Sequence, residues 1–251
     1  MKSEATWWLA PRAWVAGAWA QDVLLGVDGD GRWMHVQAQC PAQAQAQATR
    51  LPGPVLPGVV NAHSHAFQRA IVGLTERRDP RALSDDFWSW RDRMYAAANS
   101  ITPEQLEAIA TQLYGELLAG GYTQVCEFHY LHNALGGAPY GEMAEMSLAL
   151  VRAARRTGIG LTLLPTLYMR AGFAQPELRQ DQRRFAGTPE RMARIVQDLQ
   201  RHTAADAHIN VGVAIHSLRA VPAAALKELA SFAAAQQLPV HIHIAEQTQE
   251  V

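Results

Sequence analysis

The sequence predicts an α/β fold in which βα units build a parallel sheet, preceded by a small antiparallel β segment. Three observations predict it. From Thr102 onward, apolar runs of strand length alternate with longer stretches of helical spacing, the grammar of crossover units around parallel strands. Polar residues gather where those strands end: His63 and His65, Glu127 with His129, Tyr168, His216, then His243 and Glu246. Ahead of them, residues from about 7 to 50 are rich in Trp, Val and Ala and carry "DGDGR" between two apolar runs, which reads as a hairpin turn. Residues 1–52 are accordingly expected to form one β-rich unit and residues 53–251 the βα unit.

The elements follow in order. "GPVLPGVVNAHSH" predicts a short buried strand beginning near Val55. "TPEQLEAIATQLYGELLAGG" predicts a helix with both ends signalled, Thr102 as N-cap, Pro103 at the first helical position and Gly120 after the last turn. The strand "YTQVCEFHY" begins at Tyr122. The helix "EMAEMSLALVRAARRTG" leads to the strand "IGLTLLPTLY" from Gly160. After an irregular stretch from Arg170 to Gly187, the helix "TPERMARIVQDLQRHT" leads to "INVGVAIHS", and "PAAALKELASFAAAQQ" leads to "LPVHIHIAE". That makes five parallel strands. A closed (β/α)8 barrel and an open doubly wound sheet both place their ligand at the C-terminal ends of such strands. No GxGxxG or GxxxxGK[ST] occurs, which removes the usual phosphate-binding versions of the open sheet.

Composition excludes several partners. With 251 residues, 49% of them apolar, a substantial core is available. The charges nearly cancel, 22 Lys+Arg against 23 Asp+Glu, and no basic stripe interleaved with aromatics appears, so a small molecule is the expected partner and nucleic acid is not. Cys40 and Cys126 lie far apart without CxxC spacing; both are read as reduced, with Cys126 in the core. The start "MKSEATWWLAPRAWVAGAWAQ" imitates a secretion signal, but Glu4 spoils its positive end and Pro11 and Arg12 interrupt its apolar run. No stretch reaches the roughly 18 apolar residues of a membrane span, so the expectation is a cytoplasmic protein with no membrane partner. "AQAQAQA" (42–48) and "ERRDPR" (76–81) read as exposed loops.

Chemistry concentrates at two strand ends. "NAHSHAFQR" sets His63 and His65 two apart, and on an extended backbone residues i and i+2 point the same way, so both imidazoles can meet one ion. One HxH is a weak signal. "HIHIAE" repeats it on a later strand, with Glu246 just past the end, and two such signals favour a metal centre. Imidazole nitrogens suit Zn²⁺, and a catalytic zinc keeps one position open for water.

These residues resemble the amidohydrolase superfamily in its mononuclear deaminase branch. The strings "NAHSHAFQRAIVGL", "FWSWRDRMY", "CEFHYLHN", "AIHSLRAV" and "VHIHIAEQ" narrow the resemblance to the formimidoylglutamate deiminases. It implies the (β/α)8 barrel, joined to a small β-sandwich segment at the N-terminus. It also implies that His63, His65 and His243 bind one divalent metal, zinc, and that Glu246 is the catalytic proton carrier. His241, the first His of "HIHIAE", matches no ligand position and is assigned a structural role. "INVGVAIHS" lacks the lysine that bridges a second metal elsewhere in the superfamily, which favours a single ion. The implied reaction turns N-formimino-L-glutamate into N-formyl-L-glutamate and ammonia in histidine degradation. Such a dicarboxylate needs cations, and the bidentate fork of arginine meets that need. The resemblance points to Arg91 and Arg219 as substrate holders, with Gln68, Tyr130 and His216. A second copy of the chain is the candidate protein partner.

Five strands are five-eighths of a barrel, and in the resembling family later strands contribute a further histidine and an aspartate. The chain is therefore expected to be a fragment of a longer product, a truncated and inactive one, or one half of a two-chain assembly. Two rival functions remain at this point: deamination of a purine-like or other amidine substrate, and metal binding without catalysis.

Overall fold

The computed structural model describes residues 5–29, 31–41, 46–76 and 87–251. Asp30 in "DGDGR", most of "AQAQAQA", most of "ERRDPR", and Glu4 lie outside the described residues. The chain divides into two compact units, Met1–Gly58 and Val59–Val251.

The first unit is a four-stranded sheet. Strands β1 (Thr6–Val15) and β2 (Ala18–Val27) pair antiparallel through a two-residue turn, Ala16 and Gly17, both at positive φ (49° and 83°). That is the backbone a type I′ hairpin needs, with alanine accepting a conformation more often given to Asn. Strand β3 (Trp33–Gln37) pairs antiparallel with β2 across "DGDGR", where Asp28 N–H donates to the Arg32 carbonyl at 3.0 Å. Strand β4 (Thr49–Arg50) breaks the antiparallel expectation by pairing parallel to β1. Ala10, Ala13, Val23 and Leu25 form the core of this unit. Val55 also belongs to it, since its N–H donates to the Arg12 carbonyl at 2.9 Å and its carbonyl takes the Trp14 N–H at 3.0 Å.

The second unit is the predicted parallel sheet. Its strands are β5 (Val59–Ser64), β6 (Tyr122–His129), β7 (Gly160–Leu167), the broken pair β8 (Ile209–Val211) and β9 (Val213–Ser217), and β10 (Val240–His243). The order β5-β6-β7-β9-β10 follows the sequence, with β8 also on β7, and every pairing is parallel, which is a half-barrel. The first of these strands begins at Val59 rather than near Val55, and Val59 and Val60 are half exposed (52% and 54%) rather than buried. The reason is position: among the described residues β5 has a neighbour on one side only.

Gly212 separates β8 from β9. A Cβ there would lie 2.7 Å from Leu164 Cδ2 and 2.7 Å from both Pro239 Cγ and the Pro239 carbonyl oxygen, so the strand can pass between its neighbours only without a side chain.

Among the described residues five α-helices accompany the sheet: α1 (Phe87–Ala98), α2 (Pro103–Ala119), α3 (Glu145–Thr157), α4 (Pro189–His202) and α5 (Ala223–Ala235). Helix α2 starts as its sequence signals. The Thr102 hydroxyl accepts the Gln105 N–H at 3.3 Å, and the Gln105 side chain takes the Thr102 N–H at 2.9 Å, satisfying two amides that the first turn leaves without partners. Leu106, Ala110 and Tyr114 of α2, Leu150 and Val151 of α3, and Ile195, Val196 and Leu199 of α4 pack with Val125, Phe128, Leu161, Leu163 and Leu164 of the strands. Cys126 is half-buried at the edge of this core, and the fully buried cysteine is Cys40; neither forms a disulfide.

Arg184, in the irregular stretch before α4, is wholly buried. Its guanidinium donates to the carbonyls of Asn133 (2.9 Å), Ile101 (2.7 Å) and Ala98, which ties the end of α1 to the segment after β6. His129 and His132, whose spacing at a strand end does not repeat the HxH pattern and reads in sequence as loop polarity, are buried too (1% each). His132 Nε2–H donates to the Thr166 carbonyl at 2.9 Å, and the two rings stand 5.4 Å apart, near Arg191 and Arg184.

Burial, with a smaller contribution from Arg191, brings the His132 pKa from 6.5 down to about 4. The unfolded chain therefore binds a proton that the fold refuses between those values. Stability from this group is intact above pH 6.5 and is lost as pH falls through 4, by about 3 kcal/mol at most. Urea titrations from pH 7 to 4 should show the wild type losing that increment relative to His132→Gln, which keeps a donor near Nε2; parallel pH profiles would refute the assignment.

Candidate active site

Parallel strands in register end together, and that is what assembles the site. The pairs Ser64↔Glu127, His129↔Pro165 and His243↔Ser217 bring the ends of β5, β6, β7, β9 and β10 to one edge of the sheet. A cavity of about 230 Å³ opens there. His63, His65 and His243 line it with Glu246; Gln68, Tyr130 and His216 line it with Arg91 and Arg219. All nine residues singled out by sequence thus meet in one place.

The three imidazoles converge through their Nε2 atoms. His63 Nε2 lies 3.0 Å from His65 Nε2 and 3.0 Å from His243 Nε2. Ligand nitrogens about 2.0–2.1 Å from a tetrahedral zinc stand about 3.3 Å apart, so the spacing suits such an ion. His65 Nδ1–H donates to the Phe128 carbonyl at 2.8 Å, which leaves the Nε2 lone pair facing the cluster. The His243 ring stacks on Phe128 at 4.3 Å and 17°. Burial holds His65 at a pKa of about 3 and His243 at about 4, each helped by the neighbouring imidazoles, so both are neutral at pH 7. His63 is lowered by burial and by His241. The donor set therefore fits a divalent metal, and among the described residues no other group of three or more His, Cys, Asp or Glu does so. His241 stays out of the cluster: it lines a separate hollow with Cys126 and Thr162.

Beside the cluster, Glu246 accepts from Arg219 Nη2 at 2.8 Å. Glu250, its carboxylate fully buried, accepts from Arg219 Nη1 at 2.8 Å and from the Glu246 N–H at 2.9 Å. Gln68 Nε2–H donates to Tyr130 Oη at 3.2 Å. Burial holds His216 well below its usual value, with His243 and Arg219 adding to the effect, and burial raises the Tyr130 phenol.

Three contributors had no role assigned from sequence, although Glu127 and Tyr168 were noted there at strand ends. Tyr95 lines the cavity from α1, four residues beyond Arg91 and on the same helix face; that i, i+4 spacing was the available signal. Tyr168 joins from the end of β7. Glu127, wholly buried on β6, accepts the Ala66 N–H at 2.5 Å and the Tyr114 hydroxyl at 3.4 Å, which fixes the chain directly after the HxH; burial raises its pKa to about 7.

Titration with zinc should load one ion per chain and raise the unfolding temperature in step with zinc concentration. Replacing His63, His65 or His243 by Ala should abolish that response, while His241→Ala should keep it. Full loading of His243→Ala, read by elemental analysis after dialysis, would remove His243 from the centre.

Residues 55–251 match the amidohydrolase family. The chain is 45% identical over 245 residues to formimidoylglutamate deiminase of Pseudomonas aeruginosa, covering 96% of this chain and 52% of that protein. Among solved structures, an amidohydrolase from Brucella melitensis superposes with a TM-score of 0.89 at 40% identity, over 98% of this chain and 53% of that one. Atrazine chlorohydrolase from Arthrobacter aurescens TC1, solved in complex with zinc, shares the fold at a TM-score of 0.74 and 17% identity, over 96% and 53% of the two chains. The chain spans about half the length of the curated relatives it matches. With a parallel half-barrel, a three-histidine edge and these matches, it belongs to the amidohydrolase family.

Proposed function

We propose that this protein hydrolyses N-formimino-L-glutamate to N-formyl-L-glutamate and ammonia, in the cytoplasm and as a step of histidine degradation, with a single zinc ion. The observation that carries the reading is the presence of two guanidinium groups, Arg91 and Arg219, around the same cavity as the imidazole cluster and Glu246. A substrate with two carboxylates beside its reacting carbon calls for that combination. The 45% identity to a protein named for this reaction supports the same substrate.

An ion held by His63, His65 and His243 supplies, when bound, the Lewis acidity that activates water. Arg219 and Arg91 grip the substrate carboxylates, and Gln68 and Tyr130 orient the chain between them. A carboxylate taking Arg219 displaces Glu246, which frees that side chain for proton transfer. Glu246 accepts a proton as the water oxygen bonds to the formimino carbon and gives it to the imino nitrogen, which becomes an amine; it then carries the proton of the new hydroxyl to that amine, whose bond to the carbon breaks to release ammonia as the oxygen becomes the formyl carbonyl. His216, kept neutral by burial, is suited to accept a hydrogen bond from substrate N–H.

Ammonia release by the metal-loaded protein at its native length tests the reading. Glu246→Gln should lower kcat by about 10²- to 10⁴-fold with zinc retained. Arg219→Ala should cut kcat/KM for the dicarboxylate by about 100-fold. Turnover of a purine that survives Arg219→Ala, with none of N-formimino-L-glutamate, would replace this substrate with a different amidine.

A further inference from the structure

Tyr95, Tyr168 and Gln182 form a buried hydrogen-bonded triangle at the wall of the cavity. Gln182 is wholly buried; Tyr95 and Tyr168 are 4% and 2% exposed. Gln182 Nε2 lies 3.1 Å from Tyr95 Oη and 3.0 Å from Tyr168 Oη, and the two phenol oxygens are 3.3 Å apart.

The Gln182 amide fixes the direction of these bonds. Gln182 Oε1 accepts the Arg179 N–H at 2.9 Å, so the amide is turned with its NH₂ toward the phenols. Both phenol oxygens therefore accept from Gln182, and each keeps one O–H to give. One phenol donates to the other. The proton of the second has no acceptor among the described residues, although buried donors are almost always satisfied. Both tyrosines face the cavity that holds Arg219. Tyr168 is the nearer to the charged end of the site: its ring is 4.4 Å from that of His216, and Arg219 bears on its phenol electrostatically. Tyr95 is instead backed by Arg91, whose guanidinium lies 5.4 Å from its ring centre, and by Arg179 at 5.9 Å.

We infer that Tyr168, with Tyr95 donating to its oxygen, offers its hydroxyl proton to a carboxylate oxygen of the substrate and so helps to select a dicarboxylate. The inference rests on the proposed substrate class. Arg219 would attract any anion, whereas an O–H held at a fixed point by Gln182 rewards a carboxylate placed in one position.

The test is steady-state kinetics on the metal-loaded protein at native length, with N-formimino-L-glutamate and its two monocarboxylate analogues, each lacking one carboxylate. Tyr168→Phe keeps the ring and removes the donor. Its KM for the dicarboxylate should rise by about 10- to 100-fold, the range for a hydrogen bond to a charged acceptor, with kcat within about threefold of wild type. The increase should persist with one analogue and vanish with the other, which identifies the carboxylate. Tyr95→Phe, which leaves the Tyr168 donor in place, should raise KM less. An unchanged KM in Tyr168→Phe, an equal increase with both analogues, or a fall in kcat alone would overturn the inference while leaving the substrate assignment standing. Failure of the wild type to turn over N-formimino-L-glutamate would overturn both.

Discussion

The short contact between the Glu127 carboxylate and the Ala66 amide is the joint on which the site depends. It ties β6 to the chain immediately beyond β5, at the place where Ser64 and Glu127 are in register. One residue earlier on the same turn, His65 is held through its Nδ1 by the carbonyl of Phe128, and the Phe128 ring in turn supports His243. Three imidazoles from two distant strands are thus referred to one short length of β6. A neutral imidazole positioned this way needs no reorganisation to meet a cation, and preorganisation of that kind is what an enzyme interior supplies and water does not.

The cavity handles charge by separating its functions. Imidazoles packed among aromatic rings are stripped of their protons by burial, while Arg219 keeps its charge among carboxylates. These two environments lie within one small volume, which the phenols of Tyr130, Tyr95 and Tyr168 also line. Neutral donors there orient a ligand without adding to the repulsion between cationic groups.

Much of this arrangement was legible in the sequence because it follows from periodicity. Alternation on a strand places His63 with His65, and the βα rhythm places His216, His243 and Glu246 at the same edge; neither needs knowledge of distant contacts. The start of β5 was misread because Val55 looks like part of an apolar run, whereas its backbone partners are Arg12 and Trp14, a pairing that no local pattern announces. Glu127 was visible only as one more acid near a strand end, since its meaning lies in an amide sixty-one positions away. His129 and His132 looked like loop polarity for the same reason: the carbonyl that takes the His132 proton sits on another strand. Tyr95 was signalled only by its i, i+4 spacing from Arg91 on α1, and Gln182 sits in a 3₁₀ turn, where sequence has little periodicity to offer.

Gly212 has a consequence for how this chain can vary. The break it makes between β8 and β9 lies four residues before His216, and its missing side chain is what lets Leu164 and Pro239 approach from either side. Even alanine there would wedge the strands apart and move His216 relative to His243, although neither residue is touched. The position is therefore closed to any side chain: a variant that loses this glycine must repack two strands at once to keep the site.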